Sequence, residues 1–455
     1  MMTLVYPKEY ALDLSSAMHG YHLCKSGWKD LKTVYVVRGM LGCGKTSFIL
    51  NHFKETEYFY FSFAGLGEEI AEKLFAEKTS KKLSVVVSGW EDSIKAIAKK
   101  YEHVVLDDLT SVYSYKRFHQ ACYDHMITDI NKRPFVILIA QTADNISGLA
   151  DNYATLNLDY LTIRNVTKIF PKTPKPDVLG IYTLSGGIPK ILREYDEAKS
   201  FEDNLRSMIL PSSAFFNHMP ELLARCFRKP ENYHYILCAI ANGNHNVSGI
   251  GKYTGFAYNK CDNYLAGLID NKFVCTVKTI TKRGVKRTAY KLTNSYFRVW
   301  YLYIYGNKTE LQLGNEAVIN GIIQDIVKKE IHRIHLEKAL EYTNKQIRGN
   351  DMSVNFGIRT KITHAPYVIN TDDFRYTFDA IARNGNKAVF VKVLEDPSDG
   401  CGRETLEAIR NAVALANAYY DSRVFIFTKR RVSDYAVKEA STDDTISLVR
   451  VEQLR

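Results

Sequence analysis

Apolar runs of strand length alternate with amphipathic stretches of helix length through the first third of the chain. Val34–Val37 (VYVV) is an apolar, largely β-branched run; Tyr58–Phe63 (YFYFSF), His103–Leu109 (HVVLDDL) and Phe135–Ala140 (FVILIA) are three more. Such runs belong to strands covered on both faces, as in a parallel sheet. Between them the spacing predicts helices over Glu68–Ala76, Ser93–Tyr101 and Tyr113–Asn131, with a helical pattern opening at Phe48, Ile49 and Leu50. Residues 1–32 read as a short helical entry. Strands that alternate with helices predict an α/β fold with a parallel sheet.

The Pro-rich segment Pro171–Asp177 (PKTPKPD) interrupts this pattern and marks a domain boundary. Val178–Ser185 then runs into Gly186, Gly187, Ile188 and Pro189, and helical segments continue to about Arg228. Tyr235–Ala241, Val247–Tyr253 and Phe256–Asp270 predict three short helices, the third with Tyr264, Leu265, Leu268 and Ile269 on its core side. Phe273–Val277 and Thr288–Leu292 alternate as two strands joined by the basic tip Lys282, Arg283, Gly284, Val285, Lys286 and Arg287. Three helices and a basic hairpin describe a winged helix, which lays its third helix in a major groove and its wing on phosphates. Tyr258, Asn259, Lys260, Lys282, Arg283, Lys286 and Arg287 are the candidate nucleic-acid contacts; packing between domains is the alternative use of such a module.

The aromatic run Tyr296–Tyr305 (YFRVWYLYIY) predicts buried helix rather than a base-stacking platform. The last stretch reads as a helix over Glu316–Tyr342, strands around Arg375–Arg383 and Lys387–Val393, a helix over Arg403–Tyr420 and a strand at Arg423–Phe427. The expected domains are therefore 1–170, 171–230, 231–305 and 306–455. The sequence contains no internal repeat and no low-complexity segment.

The first strand run carries the chemistry. It ends at Gly39, and Gly39, Met40, Leu41, Gly42, Cys43, Gly44, Lys45 and Thr46 fill the spacing G-x(4)-G-K-S/T directly before a helix. Glycines let backbone N–H groups curl around a phosphate, and the helix start turns its positive end toward the anion. Lys45 supplies a point charge for the β- and γ-phosphates, and the Thr46 hydroxyl is a hard oxygen ligand for Mg²⁺. Together with Ser47 this loop predicts a nucleoside-triphosphate site. A carboxylate at the tip of a neighbouring strand completes such a site. Asp107 is the expected magnesium ligand, and Asp108 stands where a water-activating base belongs. Gln141 and Thr142 end the fourth strand run, where a polar residue senses a γ-phosphate or simply turns the chain.

Composition narrows the partners. The net charge of +11 favours a polyanion, because cations that neutralise phosphates release counterions. No apolar run approaches the roughly eighteen residues that span a bilayer, so no membrane is expected. The start of the chain lacks a basic region followed by an apolar core, so no secretory signal is expected. The eight cysteines form no C-x-x-C pair, an arrangement that fits reduced thiols in a cytoplasm. Cys43, inside the loop, is an oxidation-sensitive thiol or merely a tolerated residue. His119, Cys122 and His125 share one helix face, as do His332 and His335 near Glu337; both groups are too small for a metal shell, and the second pair is expected to face solvent.

GMLGCGKTS, HVVLDDL, SGGIPKIL, YHYILCAIANG, YKLTNSYFRVWYLYI and FDAIARNGNKAVFVKV, in that order, resemble one family. It is the prokaryotic, archaeal-type P-loop ATPases of the STAND/AAA-like group that end in a restriction-endonuclease-like domain. The resemblance implies a P-loop core in 1–170, a helical lid in 171–230, a winged helix in 231–305 and a nuclease-like α/β domain in 306–455. It implies ATP and Mg²⁺ between sheet and lid, with Gly187 to Pro189 near the base, and nucleotide-driven rearrangement of the downstream domains. Duplex DNA or a protein is the implied partner. Two departures stand out. The family usually follows its magnesium-binding Asp with Glu; here Asp108 is one methylene shorter, which implies slow hydrolysis. The family's nucleases carry Asp on one strand and Glu-x-Lys on the next; here Asp379 and Lys392 stand in place but the Glu position is Phe390. The implied product is a slow ATP-dependent switch whose nuclease-like domain does not cut; an active endonuclease and a non-hydrolysing regulator are the alternatives.

Overall fold

Five strands form a parallel sheet: β1 (Val34–Arg38), β2 (Tyr58–Ser62), β3 (His103–Asp107), β4 (Phe135–Ala140) and β5 (Ala154–Asn157), in the order β2-β3-β4-β1-β5. The protein is described by a computed structural model covering residues 34–53, 58–108, 115–127, 135–140, 154–280, 286–349, 362, 366–371, 373–384, 387–394, 401–416, 421–428 and 432–450. The expected helical entry in residues 1–32 and the strand-tip residues Gln141 and Thr142 lie outside these residues. Side chains decide which strands are central. β1, β3 and β4 are buried almost throughout, whereas β2 alternates buried and half-buried positions as an edge strand does.

The pleat sends alternate residues to two cores. Val34, Val36, Val104, Leu106, Val136 and Leu138 pack with Phe59, Phe61, Phe75, Trp90 and Phe118 on one face. Tyr35, Val37, Val105, Ile137 and Ile139 pack with Phe48, Ile49, Leu156 and Leu158 on the other. The helices that cover them are α1 (Lys45–Leu50), α2 (Glu68–Leu83), α3 (Gly89–Lys100) and α4 (Lys116–Cys122), the last continued by a π-helical turn at Tyr123–Ile127. The α/β fold with a parallel sheet is thus as expected. The fifth strand is an addition: ATLN is short and half polar, with no apolar run to announce it.

The chain divides into two compact units, Met1–Ile169 with Ser185–Asn315, and Phe170–Leu184 with Glu316–Arg455. The stretch expected as a separate lid, 171–230, is split between them. After α5 (Ile163–Ile169), the helix α6 (Lys175–Ser185) counts almost wholly with the second unit. The first unit continues with α7 (Pro189–Leu192), α8 (Phe201–Ile209) and α9 (Ala214–Cys226).

Three further helices of the first unit, α10 (Glu231–Ala241), α11 (Val247–Thr254) and α12 (Tyr258–Asp270), precede an antiparallel pair, β6 (Val274–Ile280) and β7 (Lys286–Leu292). Asn246 caps α11 through its side chain, and Gly255 ends it with a left-handed residue. α12 buries Cys261, Leu265 and Leu268, with Tyr264 half-buried. Ile269, expected on this core side, is 36% exposed, because the buried stripe follows the three-and-four spacing from Cys261 and leaves Ile269 beyond its edge. The aromatic run is buried as expected. It forms α13 (Ser295–Val299) and a π-helical turn, Trp300–Ile304, in which the Tyr296 hydroxyl and Trp300 indole donate to the Phe215 and Phe216 carbonyls. α14 (Lys308–Gln312) ends this unit.

The second unit opens with α15 (Glu316–Asp325), a π-helical turn at Ile326–Glu330 and α16 (Ile331–Gly349). The strands β8 (Tyr367–Asn370) and β9 (Arg375–Phe378) pair with each other. β10 (Ala380–Asn384), β11 (Lys387–Leu394), β12 (Asp421–Thr428) and β13 (Ile446–Arg450) form a mixed sheet in that order. α17 (Arg403–Ala416) and α18 (Asp434–Thr442) complete the unit. β8, α18 and β13 are additions to the elements expected from sequence. His335, expected to face solvent, is 1% exposed. It lies on α16 one residue before Leu336, which joins the core over Val389, Val391 and Val393.

Candidate functional site: the crevice at the phosphate loop

The crossover from β1 to β2 passes over two strand positions, so the loop after β1 and the tip of β3 flank β4 at the carboxyl ends of the strands. A crevice at that edge is where open α/β sheets bind ligands. Here it is a cavity of about 390 Å³ lined by Leu41, Gly42, Gly44, Lys45, Thr46, Ser47, Ser62, Asp107, Asp108, Pro189, Lys190, Arg193 and Arg225. The loop and the two acids singled out in the sequence therefore meet in one place.

Gly44 starts α1 with φ 90°, a left-handed conformation that favours glycine, and its carbonyl receives the Phe48 N–H. Lys45 is 7% exposed, and its ammonium donates to the Gly39 carbonyl at 2.8 Å and the Met40 carbonyl at 3.0 Å. The charge is thus fixed over the loop. The Thr46 hydroxyl donates to Asp107 Oδ2 at 2.6 Å, and the Tyr60 hydroxyl donates to the same oxygen at 2.9 Å. Burial raises the Asp107 pKa, while those two hydroxyls and the Lys45 charge pull it back down. Burial and the Asp107 charge also push the Tyr60 phenol far up, so it stays a donor.

The pairing of a hydroxyl and a carboxylate in a half-closed, desolvated crevice fits Mg²⁺, which takes one or two protein oxygens and completes its shell with phosphates and water. Thr46 and Asp107 are the residues that would hold it. Among the described residues no group of three or more His, Cys, Asp or Glu gathers as a metal site elsewhere. His125 instead sits 2.5 Å from Glu91, and His332 lies 3.8 Å from Asp379.

Asp108 follows β3 with φ 57°, a left-handed conformation that Asp tolerates better than most residues. Its N–H donates to Asp107 Oδ1 at 2.7 Å, and its carboxylate forms an ion pair with Arg225, on α9. Gly187 accepts the Leu161 N–H through its carbonyl, while Tyr160 donates its hydroxyl to the Leu41 carbonyl. Pro189 begins α7 at the cavity wall. Cys43 is fully buried, and burial raises its pKa, which leaves an inert thiol rather than an oxidation-sensitive one.

The sequence does not single out Ser62, Tyr60, Lys190, Arg193 or Arg225, which belong to this site. Lys190 and Arg193 follow Pro189 at a spacing that places both on one helical face, a signal that was present. Lys190 pairs with Glu221 at 2.5 Å, and Arg193 donates to the Ser47 hydroxyl at 3.2 Å. Tyr60 and Arg225 carry no such signal, since only the fold brings them to the acids. Arg164, by contrast, is exposed on α5 and does not line the cavity.

His218, on α9, is fully buried against the loop at Gly42, and neither ring nitrogen has a hydrogen-bond partner. Burial, with the Lys190 charge nearby, lowers its pKa to about 3. A group whose folded pKa lies below its unfolded value of about 6.5 withdraws stability as pH falls below 6.5. Acidification to pH 5 is expected to cost about 2 kcal/mol through His218 alone. In urea titrations of the first unit's unfolding, His218→Phe should lose that part of the pH dependence; an unchanged slope between pH 5 and 7.5 would contradict it.

The other sequence candidates fall outside the crevice. Tyr258, Asn259 and Lys260 are exposed on the first turn of α12, and the Lys260 ammonium lies 3.8 Å from the Phe256 ring centroid. Lys286 and Arg287 lie on β7, where they pair with Ile280 and Thr279; Lys282 and Arg283 lie outside the described residues. In the second unit, Asp379 Oδ2 accepts the Val393 N–H at 2.8 Å, and Lys392 donates to the Thr377 carbonyl at 2.9 Å while standing 3.8 Å from Asp379. Phe390 is fully buried, 4.6 Å from the Phe378 ring.

Sheet, loop and crevice define a phosphate-loop α/β protein. No family model matches the chain. An uncharacterized protein of Methanocaldococcus jannaschii is 23% identical over 294 residues, which are 61% of this chain and 66% of that protein, so the chain spans just under two thirds of the curated relative it matches. Among solved structures, the chain is similar to a Walker-type ATPase of Pyrococcus abyssi (14% identity, 66% of this chain and 96% of that one, TM-score 0.44). It is also similar to the ORC1 protein of Aeropyrum pernix in complex with DNA (13%, 68% and 96%, 0.32) and to a RuvB mutant of Thermotoga maritima (14%, 64% and 92%, 0.33). None of these scores reaches 0.5, so function must be read from this chain's own residues. No helix among the described residues is long and apolar enough to cross a membrane.

Proposed function

We propose that this chain binds ATP with Mg²⁺ at Gly39–Ser47, hydrolyses it slowly, and works as a switch on DNA or a protein partner. One observation carries the proposal: Lys45, the Thr46–Asp107 pair and Asp108 converge on one cavity that Lys190, Arg193 and Arg225 also line. Several cations around a phosphate loop suit a triphosphate, whose charge is spread over three groups. Mg²⁺, when bound, neutralises phosphate charge beside Thr46 and Asp107. Lys45 orients the β- and γ-phosphates, and Asp108 orients the attacking water. Asp108 is short, and its carboxylate is engaged by Arg225, so turnover is slow.

The partner would be met through residues 231–305, taken as a winged helix on the strength of α10 to α12 and the β6–β7 hairpin. Residues 306–455 are taken as a nuclease-like domain without cleavage activity. Phe390 occupies the position of the missing carboxylate inside an apolar core, and Asp379 is occupied by the Val393 N–H, which leaves one acid where Mg²⁺ needs several hard oxygens.

The test is steady-state ATP turnover with and without duplex DNA, with plasmid nicking followed in the same reactions. Slow, Mg²⁺-dependent turnover that DNA accelerates, without nicking, is the expected result. DNA affinity should fall as salt rises, as phosphate contacts require. Nicking that is lost in Asp379→Ala would make the chain an endonuclease. Tight ATP binding with no turnover would make it a non-hydrolysing regulator.

A further inference from the structure

The helices α10 to α12 carry a row of aromatic rings that the fold leaves half in solvent. Tyr235 on α10 is 48% exposed, and Tyr253 on α11 is 49% exposed. Phe256, in the turn between α11 and α12, is half-buried. Tyr235, Cys238 and Asn242 follow one another at three- and four-residue spacing, so they form one stripe along α10 and just past its end. Tyr253 lies against the Asn242 end of that stripe, its hydroxyl 3.4 Å from the Cys238 Sγ and 3.4 Å from the Asn242 Nδ2. Phe256 lies at the other end, its ring centroid 6.2 Å from that of Tyr235. The rings thus stand in the order Tyr253, Tyr235, Phe256.

The row is held in place and framed by positive charge. The bonded hydroxyl fixes the Tyr253 ring, and the Tyr235 ring meets the Phe256 ring at 83°. A tyrosine has only two side-chain torsions to restrict, so such rings bind at a low entropic cost. The Lys260 ammonium sits 3.8 Å from the Phe256 ring centroid, held there by the negative face of the ring. The exposed Lys252 directly precedes Tyr253. Neither ammonium pairs with a carboxylate among the described residues. Exposed rings beside uncompensated cations suit a strand whose bases stack on the rings while its phosphates meet the cations. A duplex offers its phosphates but not its base faces, which are already stacked on one another. From Tyr235 to Asn242 the stripe runs about 10 Å, the rise of roughly three bases along one strand. The net charge of +11 agrees in sign. Tyr296–Val299 and the turn Trp300–Ile304 lack this exposure because they are packed into the interior.

We propose that Tyr235 and Tyr253, with Phe256 and Lys260, form a stacking platform for single-stranded DNA. The inference rests on the reading of residues 231–305 as the module that meets the partner, and it names unpaired bases as what that module takes. Contacts of the β6–β7 hairpin with duplex phosphates are a separate matter.

The experiment titrates the full chain with a short oligo-dT strand, an abasic strand of the same length and a duplex of the same length. Y235A and Y253A are each expected to weaken oligo-dT about five- to a hundredfold, the worth of one stacked base, and to leave the duplex within about twofold. Y235F should bind oligo-dT as wild type does, because the ring and not the hydroxyl stacks. K260A should lower the salt dependence of oligo-dT binding by about 0.7 in log–log slope, one phosphate contact on a single strand. Wild type should bind the abasic strand at least about tenfold more weakly than oligo-dT, a comparison that stands should the alanine variants fail to fold. Equal affinity for the abasic strand, or unchanged oligo-dT affinity in both alanine variants, overturns the platform. Tighter binding of oligo-U or of a proline-rich peptide than of oligo-dT overturns its assignment to DNA. A chain that binds the duplex but no single strand loses this inference and keeps the DNA-binding module; one that binds neither loses both.

Discussion

Replacing Lys45 with alanine is expected to weaken ATP binding roughly a hundredfold and to lower turnover further, by about the same factor. The first figure follows from truncating one partner of a buried charge pair, which costs about 2–5 kcal/mol. The second follows from losing a fixed charge on the phosphate that accepts negative charge as the bond breaks. Lys45 is prepared for this work before any ligand arrives, since its ammonium is pinned at 2.8 Å on the Gly39 carbonyl and 3.0 Å on the Met40 carbonyl. Alanine loses those two bonds as well, one buried and one partly buried, so binding and stability must be measured side by side. Circular dichroism and an unfolding curve close to wild type would separate loss of binding from loss of structure. ATP binding within threefold of wild type would mean that the loop does not hold phosphate.

Gly187→Ala should produce the largest loss of stability. Gly187 has φ 74°, and a Cβ built there would lie 1.9 Å from the Leu161 carbonyl oxygen and 2.9 Å from its carbon. Both are backbone atoms with nowhere to go, because the Leu161 N–H is bonded to the Gly187 carbonyl itself. The left-handed conformation costs alanine about 1–2 kcal/mol, and the overlap can be relieved only by breaking that bond. A loss of about 3 kcal/mol or more is expected, in the range reserved for such backbone effects. The damage would spread to the crevice, since Gly187 precedes Ile188 and Pro189, and the Lys190 N–H reaches back to the Gly42 carbonyl. Denaturant unfolding is the measurement. A midpoint shift worth less than 1 kcal/mol would show that this segment yields more easily than its geometry implies.

The central strands and the phosphate loop are legible in the sequence because their signals are local. VYVV, HVVLDD and FVILIA are continuous apolar runs, and the loop spacing sits between a strand and a helix. Asp107 is legible for the same reason, as an acid at a strand tip. β5 is not, because four residues, half of them polar, on the edge of a sheet resemble a turn. The cations that line the crevice beside the loop are legible only in part. Lys190 and Arg193 share a helical face directly after the Gly-Gly-Ile-Pro segment, whereas Arg225 reaches Asp108 across 117 residues of sequence. Periodicity also sets a stripe's direction better than its width, which is why Ile269 reads as core in the sequence and lies at the surface of the fold. The two histidines of α16 show the converse. His335 reads as a surface residue because it is polar, yet its helical position, rather than its chemistry, buries it beside Leu336.

The most direct test of the central claim is an equilibrium titration of the purified chain with ATP, in the presence of Mg²⁺ and again with the metal chelated. Saturable binding that Mg²⁺ strengthens, and that Asp107→Asn makes indifferent to Mg²⁺, is the expected result, because Asp107 and Thr46 would together hold the ion. Absence of saturable binding up to millimolar ATP would contradict the account at its root and leave the loop an ordinary turn.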